Sequence, residues 1–404
     1  MMTQPSHFIR WLTLAGTILT QFALGSVYTW SLFNGPLAQK LGQPIIQVAF
    51  AFGLLSLAMA VASTTAGKFQ ERFGVRKVTI GAGLLLGVGL CLTGWSSSLT
   101  MLWLCTGILV GLADGIGYLL TLSNCVKWFP ERKGVISACA IGAYGLGSLG
   151  FKYINSQLLA HSSLESTFAL WGAIALLMVV SGAMMMKDAP RQDVRQQSAV
   201  RDYTLAESMR MPQYWLLALM FVTAFMSGLY VIGVAKDIGE NLVHLTTAVA
   251  ANAVTIIAIA NLSGRLVLGV LSDRMSRIRV VSLAQVIAMA GMAMLLFVHL
   301  NETLFFLSLA CVAFSFGGTI TVYPSLVSDF FGLNNLTKNY GIIYLGFGIG
   351  SIIGSLVASL FGGFMVTFQL IAVLLVIALI ISLTLRQPGD DGKHSYRLGH
   401  AHGD

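Results

Sequence analysis

The chain has 404 residues, 56% of them hydrophobic and only 10% charged. A fold solvated by water carries about a quarter of its residues as charges, so this composition excludes an ordinary soluble protein and makes lipid the expected surroundings. A net charge of +8 would suggest nucleic acid in a soluble chain, but here the basic residues cluster in short segments between apolar runs, and no nucleic-acid partner is expected.

A bilayer core about 30 Å thick takes roughly 20 apolar residues of helix. In chain order, runs of that kind fall at 10–33, 46–67, 78–97, 101–126, 134–156, 166–186, 213–235, 246–270, 280–299, 303–325, 341–361 and 364–385. Their length and unbroken apolarity predict membrane helices rather than barrel strands, which are shorter and alternate. The first run continues to Phe33 without a small-residue cleavage pattern, so it is read as a retained helix. Threading twelve spans puts Arg10, Lys68, Arg72, Arg76, Lys77, Lys127, Arg132, Lys133, Lys187, Arg191, Arg195, Arg201, Arg210, Arg274, Arg277, Arg279, Lys338, Arg386, Lys393 and Arg397 on one side. Only Lys40 and Lys236 fall opposite, and the positive-inside bias then makes the basic side cytoplasmic, with both termini inside. Cys91, Cys105, Cys125, Cys139 and Cys311 all lie within predicted spans, which suits packing residues and argues against disulfides or a metal cluster.

The longest polar connection separates the sixth and seventh spans. It divides the chain into an expected N-terminal six-helix bundle (1–187), a cytoplasmic linker (188–212), a C-terminal six-helix bundle (213–386) and a cytoplasmic tail (387–404). Sliding the sequence on itself by 202 positions lays Gly67, Glu71, Arg72, Lys77 and Val78 over Gly269, Asp273, Arg274, Arg279 and Val280, and Tyr28 over Tyr230. One residue out of that register, AYGLGS (143–148) falls over GFGIGS (346–351). Self-similarity at half the length is what a duplicated bundle leaves: an all-α membrane protein of two pseudo-symmetric halves, with a binding site near the midplane between them.

The stretch GKFQERFGVRKV (67–78) resembles the loop 2–3 motif of the major facilitator superfamily, and GVLSDRMSRIRV (269–280) resembles its second-half copy. The resemblance implies a gating motif of Gly67, Glu71, Arg72 and Gly74, with Asp273 and Arg274 in the second half. The adjacent acid and arginine would make ion pairs with neighbouring helix ends; anchoring of the basic side alone is the other reading. Further stretches are similar to the oxalate/formate antiporter family within that superfamily: GSVYTWSLFNGP (25–36), NCVKWFPERKG (124–134), AYGLG (143–147), MRMPQYW (209–215), NLSGRLVLGVLSD (261–273), YPSLVSDFFG (323–332) and KNYG (338–341). The likeness reaches an enterobacterial member regarded as a pyruvate transporter. It implies the major facilitator fold, a bacterial cytoplasmic (inner) membrane, and secondary active transport of a small carboxylate with no cofactor.

Ionisable residues deep in a span cost several kcal/mol and face a cavity or a partner. The sequence has three: Asp114, Lys152 and Arg265. Arg265 lies eight residues before Asp273, roughly 12 Å from the basic side at 1.5 Å per residue, too deep to snorkel. A guanidinium matches a carboxylate in bidentate fashion and stays charged. In the resembling family the arginine at this position binds the substrate carboxylate; a structural ion pair is the alternative. The oxalate-transporting pattern also has an intramembrane lysine where this chain has Phe347, and one cation suits a monocarboxylate better than a dianion.

Asp114 has two open readings. It carries a proton with the substrate, or it pairs permanently with Lys152, which counting along the two helices places roughly 6 Å away in depth. Tyr28, Tyr118, Tyr144, Phe316 and Tyr344 complete the candidate site as aromatic lining, and Asn261, one turn before Arg265, orients the guanidinium. The glycines at 145, 147, 346, 348 and 350 form small faces for close helix approach, and no P-loop pattern accompanies them, so ion or substrate gradients supply the energy. The expected partners are a small carboxylate, protons and membrane lipid, and the expected state is a monomer.

Rival readings are an intramembrane enzyme and a membrane carboxylate sensor. The histidines at 7, 161, 244, 299, 394, 400 and 402 fall in loops, ends or tails without a metal-ligand pattern, which speaks against the enzyme, and the chain shows no soluble output segment for a sensor. The histidines of the tail suit a solvated end better than a metal site. Symport, exchange and facilitated diffusion remain open at this level.

Overall fold

A computed structural model describes residues 4–191, 201–297, 299–361 and 364–388. Residues 192–200 of the expected linker and 389–404 of the expected tail, with Arg195, Lys393, Arg397, His394, His400 and His402, lie outside the described residues.

Regular structure among the described residues is helical. Helix α1 (Gln4–Leu24) runs into a 3-10 segment (Gly25–Leu32) and the short α2 (Asn34–Leu41), followed by α3 (Ile45–Phe73) and α4 (Val75–Gly94). A single turn, α5 (Leu99–Leu102), passes through a π-helical stretch (Trp103–Val110) into α6 (Gly111–Trp128), then come α7 (Lys133–His161) and α8 (Leu164–Met184). The short α9 (Leu205–Met209) leads to α10 (Pro212–Asn241), α11 (Thr247–Leu271), α12 (Arg277–Phe297), α13 (Glu302–Phe331), α14 (Leu336–Ile343), α15 (Leu345–Phe361) and α16 (Phe364–Thr384). Starts are capped as the sequence dictates: Ser163, Thr246 and Asn301 each accept a backbone N–H from three residues on. Eleven of these helical runs are long and apolar enough to cross a membrane. The eleventh expected span, 341–361, is instead two helices, α14 and α15, that meet at Tyr344, so neither piece alone has the length.

Helices α1 to α8 pack chiefly on one another, α1 against α6, α7 and α8, and α3 and α4 against α6; α10 to α16 do the same around α13. The two sets meet where α7 lies on α11 and α13, and where α3 lies on α14 and α15. Two absent side chains set the position of α7. A Cβ at Gly25 would stand 1.9 Å from the Tyr144 carbonyl oxygen, and one at Gly147 would stand 2.0 Å from that of Phe22, so backbone touches backbone between α7 and the first span.

At the end carrying residues 67–78 and 269–280, the two sets are tied by charge. The Asp273 carboxylate, at the end of α11, accepts the Gly134 and Val135 N–H groups at 2.8 and 2.9 Å, completing the N-terminus of α7 from the other set. Arg277 pairs with Asp273 at 3.0 Å and with Asp329 at 2.8 Å, and Lys133 shares Asp329. In the first-half copy Glu71 pairs with Lys338 of α14 at 2.7 Å, close to where Gly67 leaves room for the lysine stem. Gly74 adopts φ +85° beside Asp188, whose carboxylate takes the Val75 N–H at 3.0 Å. Arg72 and Arg274, expected to join the acids in ion pairs, are exposed, and neither has an ion pair among the described residues; the Arg72 guanidinium lies 5.4 Å from the Phe73 ring. Arg72 follows Glu71 by one residue on α3, about 100° round the axis, and so turns away from the junction when the acid turns in, while Arg274 lies in the turn after α11.

Asp329→Asn removes the carboxylate that Lys133 and Arg277 share. It is expected to cost up to about 3 kcal/mol in thermal unfolding, and to raise the alkylation rate of a cysteine placed at Ser325, which is buried between α13 and α7.

Candidate functional site

On α11, six residues before its end at Leu271, Arg265 is only 4% exposed. Its Nε donates to Asn261 Oδ1 at 2.9 Å, one helical turn back, as the spacing predicts. Its Nη1 donates to the Ile141 carbonyl at 2.8 Å, and that carbonyl belongs to α7 of the other set. A helical carbonyl is free to accept a second bond because it has two lone pairs. A Cβ at Gly145 would sit 3.3 Å from Nη1, so the missing side chain gives the guanidinium its place against α7. Nη2 has no acceptor among the described residues.

Asp114 is fully buried on α6. Its Oδ2 accepts the Tyr144 hydroxyl at 2.8 Å, while Oδ1 has no hydrogen-bond partner. The Tyr144 ring meets Tyr28 edge-on at 5.5 Å and Tyr118 at 5.2 Å, and Tyr118 meets Tyr344 at 5.4 Å. The charge of Arg265 acts on the phenols of Tyr28 and Tyr118; that of Asp114 acts on the same two and on Tyr144 and Tyr344. The cation and the acid thus face a common set of tyrosines from opposite halves, with no ion pair between them. Phe316 stands further off, reaching the cluster through Phe225 at 5.0 Å, Phe347 and the stacked pair of Phe347 on Tyr344 at 5.4 Å.

The permanent pair of Asp114 with Lys152 is not formed. Lys152 is exposed on α7, and Tyr144 occupies the place expected for it. Lys152 misses in both depth and direction: eight residues carry it about 12 Å further along α7 than Tyr144 and about 80° round the axis. Phe52, Phe225 and Phe221 also belong to the aromatic wall and carried no signal in the sequence, since a phenylalanine in an apolar span looks like any other core residue. Among the described residues no cluster of three or more His, Cys, Asp or Glu is placed to hold a metal, and the five cysteines are free.

The sequence model described as Major Facilitator Superfamily matches residues 11–266 and 216–401. An uncharacterized MFS-type transporter of Escherichia coli K12, YhjX, is 70% identical over 352 residues, 86% of this chain and 88% of that protein. The oxalate:formate antiporter of Oxalobacter formigenes is 27% identical over 341 residues, covering 83% and 81%. Among solved structures, FucP, a transporter crystallised in an outward conformation, superposes with a TM-score of 0.70 at 16% identity over 92% of this chain and 97% of that one, a likeness of fold.

Two conservative variants separate the roles of the buried hydroxyls in holding the structure. Tyr144→Phe removes the donor to Asp114 and is expected to lower stability by about 1.5–3 kcal/mol, read from thermal unfolding in detergent. Tyr118→Phe deletes a hydroxyl that has no partner and is expected to leave the unfolding midpoint unchanged or slightly raised.

Proposed function

The chain belongs to the major facilitator superfamily, and from that premise we propose that it carries a small monocarboxylate of about the size of pyruvate across the bacterial cytoplasmic membrane by alternating access, together with a proton. The observation that supports this most is the buried Arg265 guanidinium, whose Nη2 has no acceptor among the described residues and whose charge acts on Tyr28 and Tyr118. A carboxylate approaching Nη2 would find a charged partner in a medium where charge–charge attraction is poorly screened. The relative that transports oxalate and formate favours exchange of carboxylates as a second reading.

The size of the anion's charge separates these readings. A dianion brought into a desolvated site with one cation would leave one carboxylate unpaired. The place where the oxalate-transporting pattern has its second cation holds Phe347, which is buried and stacked on Tyr344. In this reading Arg265 binds the carboxylate, Asn261 holds the guanidinium flat, and Tyr28, Tyr118, Tyr144 and Tyr344 order the body, with Phe316 at the far wall. Asp114 takes and releases the proton, while Lys152, on the exposed side of α7, attracts the anion from a distance. The two halves, 1–187 and 213–386, rock as units in a monomer, with the basic end facing the cytoplasm and both termini inside. Glu71 and Asp273, with Gly67 and Gly74, close that end; Arg72 and Arg274 hold it at the headgroups.

Uptake of labelled pyruvate, formate and oxalate into proteoliposomes, with and without an inward proton gradient, tests the reading. Pyruvate is expected to accumulate with the gradient, and Arg265→Lys to reduce its uptake about 30-fold or more. Phe347→Lys is expected to shift preference towards oxalate. Oxalate–formate exchange by the wild type, indifferent to the gradient, would sink the monocarboxylate assignment.

A further inference from the structure

Asp114 Oδ1 and the Tyr118 hydroxyl are both buried, and neither has a hydrogen-bond partner. An unpaired buried polar atom costs about 1–3 kcal/mol, so two of them in one site call for a reason. They stand four residues apart on α6, one turn apart on the same face. A carboxylate oxygen is an acceptor and a phenol is a donor, so the two atoms are complementary. Yet no hydrogen bond joins them: the Tyr118 ring packs against Tyr144 at 5.2 Å and Tyr344 at 5.4 Å, and Arg265 is near enough for its charge to act on the Tyr118 phenol. A donor that shares its surroundings with a guanidinium can serve as a second point of attachment for an anion held there.

We infer that Tyr118 couples proton to substrate: its hydroxyl donates either to ionised Asp114 or to a substrate carboxylate on Arg265, and the proton on Asp114 decides which. The inference rests on the reading of the protein as a proton-coupled carboxylate carrier. With Asp114 ionised, Tyr144 serves Oδ2 and Tyr118 turns to Oδ1, so the substrate has Arg265 alone. With a proton on Oδ1, that oxygen no longer draws a donor, and Tyr118 is released to the carboxylate. The phenol keeps its own proton throughout and only changes acceptor. The described position of Tyr118, with no hydrogen bond to Asp114, corresponds to the released state before an anion arrives.

Helix α4, packed on α6, brings Lys77 to a groove that Ala113 and Ile116 also line. Tyr144 faces Asp114 from α7, Tyr28 from the 3-10 segment, and Tyr344 from the junction of α14 and α15, with Arg265 beyond them on α11. Helix α3 meets α6 there through the Met59 backbone at Gly115, and α1 through Gln21, which donates to the Tyr118 carbonyl at 3.0 Å. Neither contributes a charge.

Equilibrium binding of labelled pyruvate to the purified full-length protein, from weakly acidic to weakly alkaline solution, tests the coupling when read beside gradient-driven uptake. Wild-type affinity is expected to weaken as pH rises, because ionised Asp114 withdraws the donor. Tyr118→Phe should bind about tenfold more weakly in acid, show no pH dependence, and exchange pyruvate without accumulating it. Asp114→Asn should keep the wild-type acid affinity at every pH and also fail to accumulate. A Tyr118→Phe protein that binds weakly but keeps the wild-type pH slope would overturn the coupling role and leave the proton reading intact. A wild type with no slope at all would overturn the proton reading, and the coupling with it.

Discussion

A guanidinium buried in an apolar helix bundle is the constraint around which this molecule is arranged. The cost of desolvating a full charge is large, so the buried guanidinium needs acceptors close by. Asn261 supplies one from its own helix, and the Ile141 carbonyl supplies another from the opposite half. That second bond requires α7 to come within reach of α11, which Gly145 permits by offering no side chain. The rest of α7 is fixed from its other side, where Gly25 and Gly147 let the first span touch it backbone to backbone. With α7 so placed, the Tyr144 hydroxyl arrives at Asp114, and the acid of one half and the cation of the other come to border the same tyrosines.

Much of this is legible in the sequence, for identifiable reasons. Apolar run length gives the spans, and the offset of 202 positions relates the two copies of the loop motif. Asn261 and Arg265 are read as partners because four residues make one helical turn. Asp114 announces itself as a charge where charges are expensive. What stays hidden depends on helical phase or on contacts between distant segments. Lys152 lies two turns past Tyr144, the residue of α7 that reaches Asp114, and is turned outward. The break at Tyr344 is absent from any pattern of apolarity, since both pieces are apolar. Phe347 is visible only as a cation that is not there, and nothing in its neighbours tells that it stacks on Tyr344. Asp329 is an unremarked acid at the end of a span until α7 and α12 bring Lys133 and Arg277 to it.

The aromatic wall also explains why a site of this kind needs few polar groups. Edge-on contacts with Tyr28 and Tyr118 help hold the Tyr144 ring where its hydroxyl meets Asp114, while no hydrogen bond fixes the Tyr118 hydroxyl. The division of labour is between rings that set shape and two ionisable groups that set charge. The acid contributed by α6 and the cation contributed by α11 form no ion pair and both act on the phenols of Tyr28 and Tyr118.

The two copies of the loop motif have drifted apart in how they hold the halves together. In the first, Glu71 and Lys338 form an ion pair whose side chains are 63% and 29% exposed. In the second, Asp273 grips the start of α7 through backbone N–H groups and Arg277, with side chains 16% and 13% exposed. Dissolved salt screens the first kind of contact more than the second. The same motif thus fastens the two sets unequally, with the α3–α14 contact open to the ions of the medium and the α7–α11 contact the more sheltered of the two.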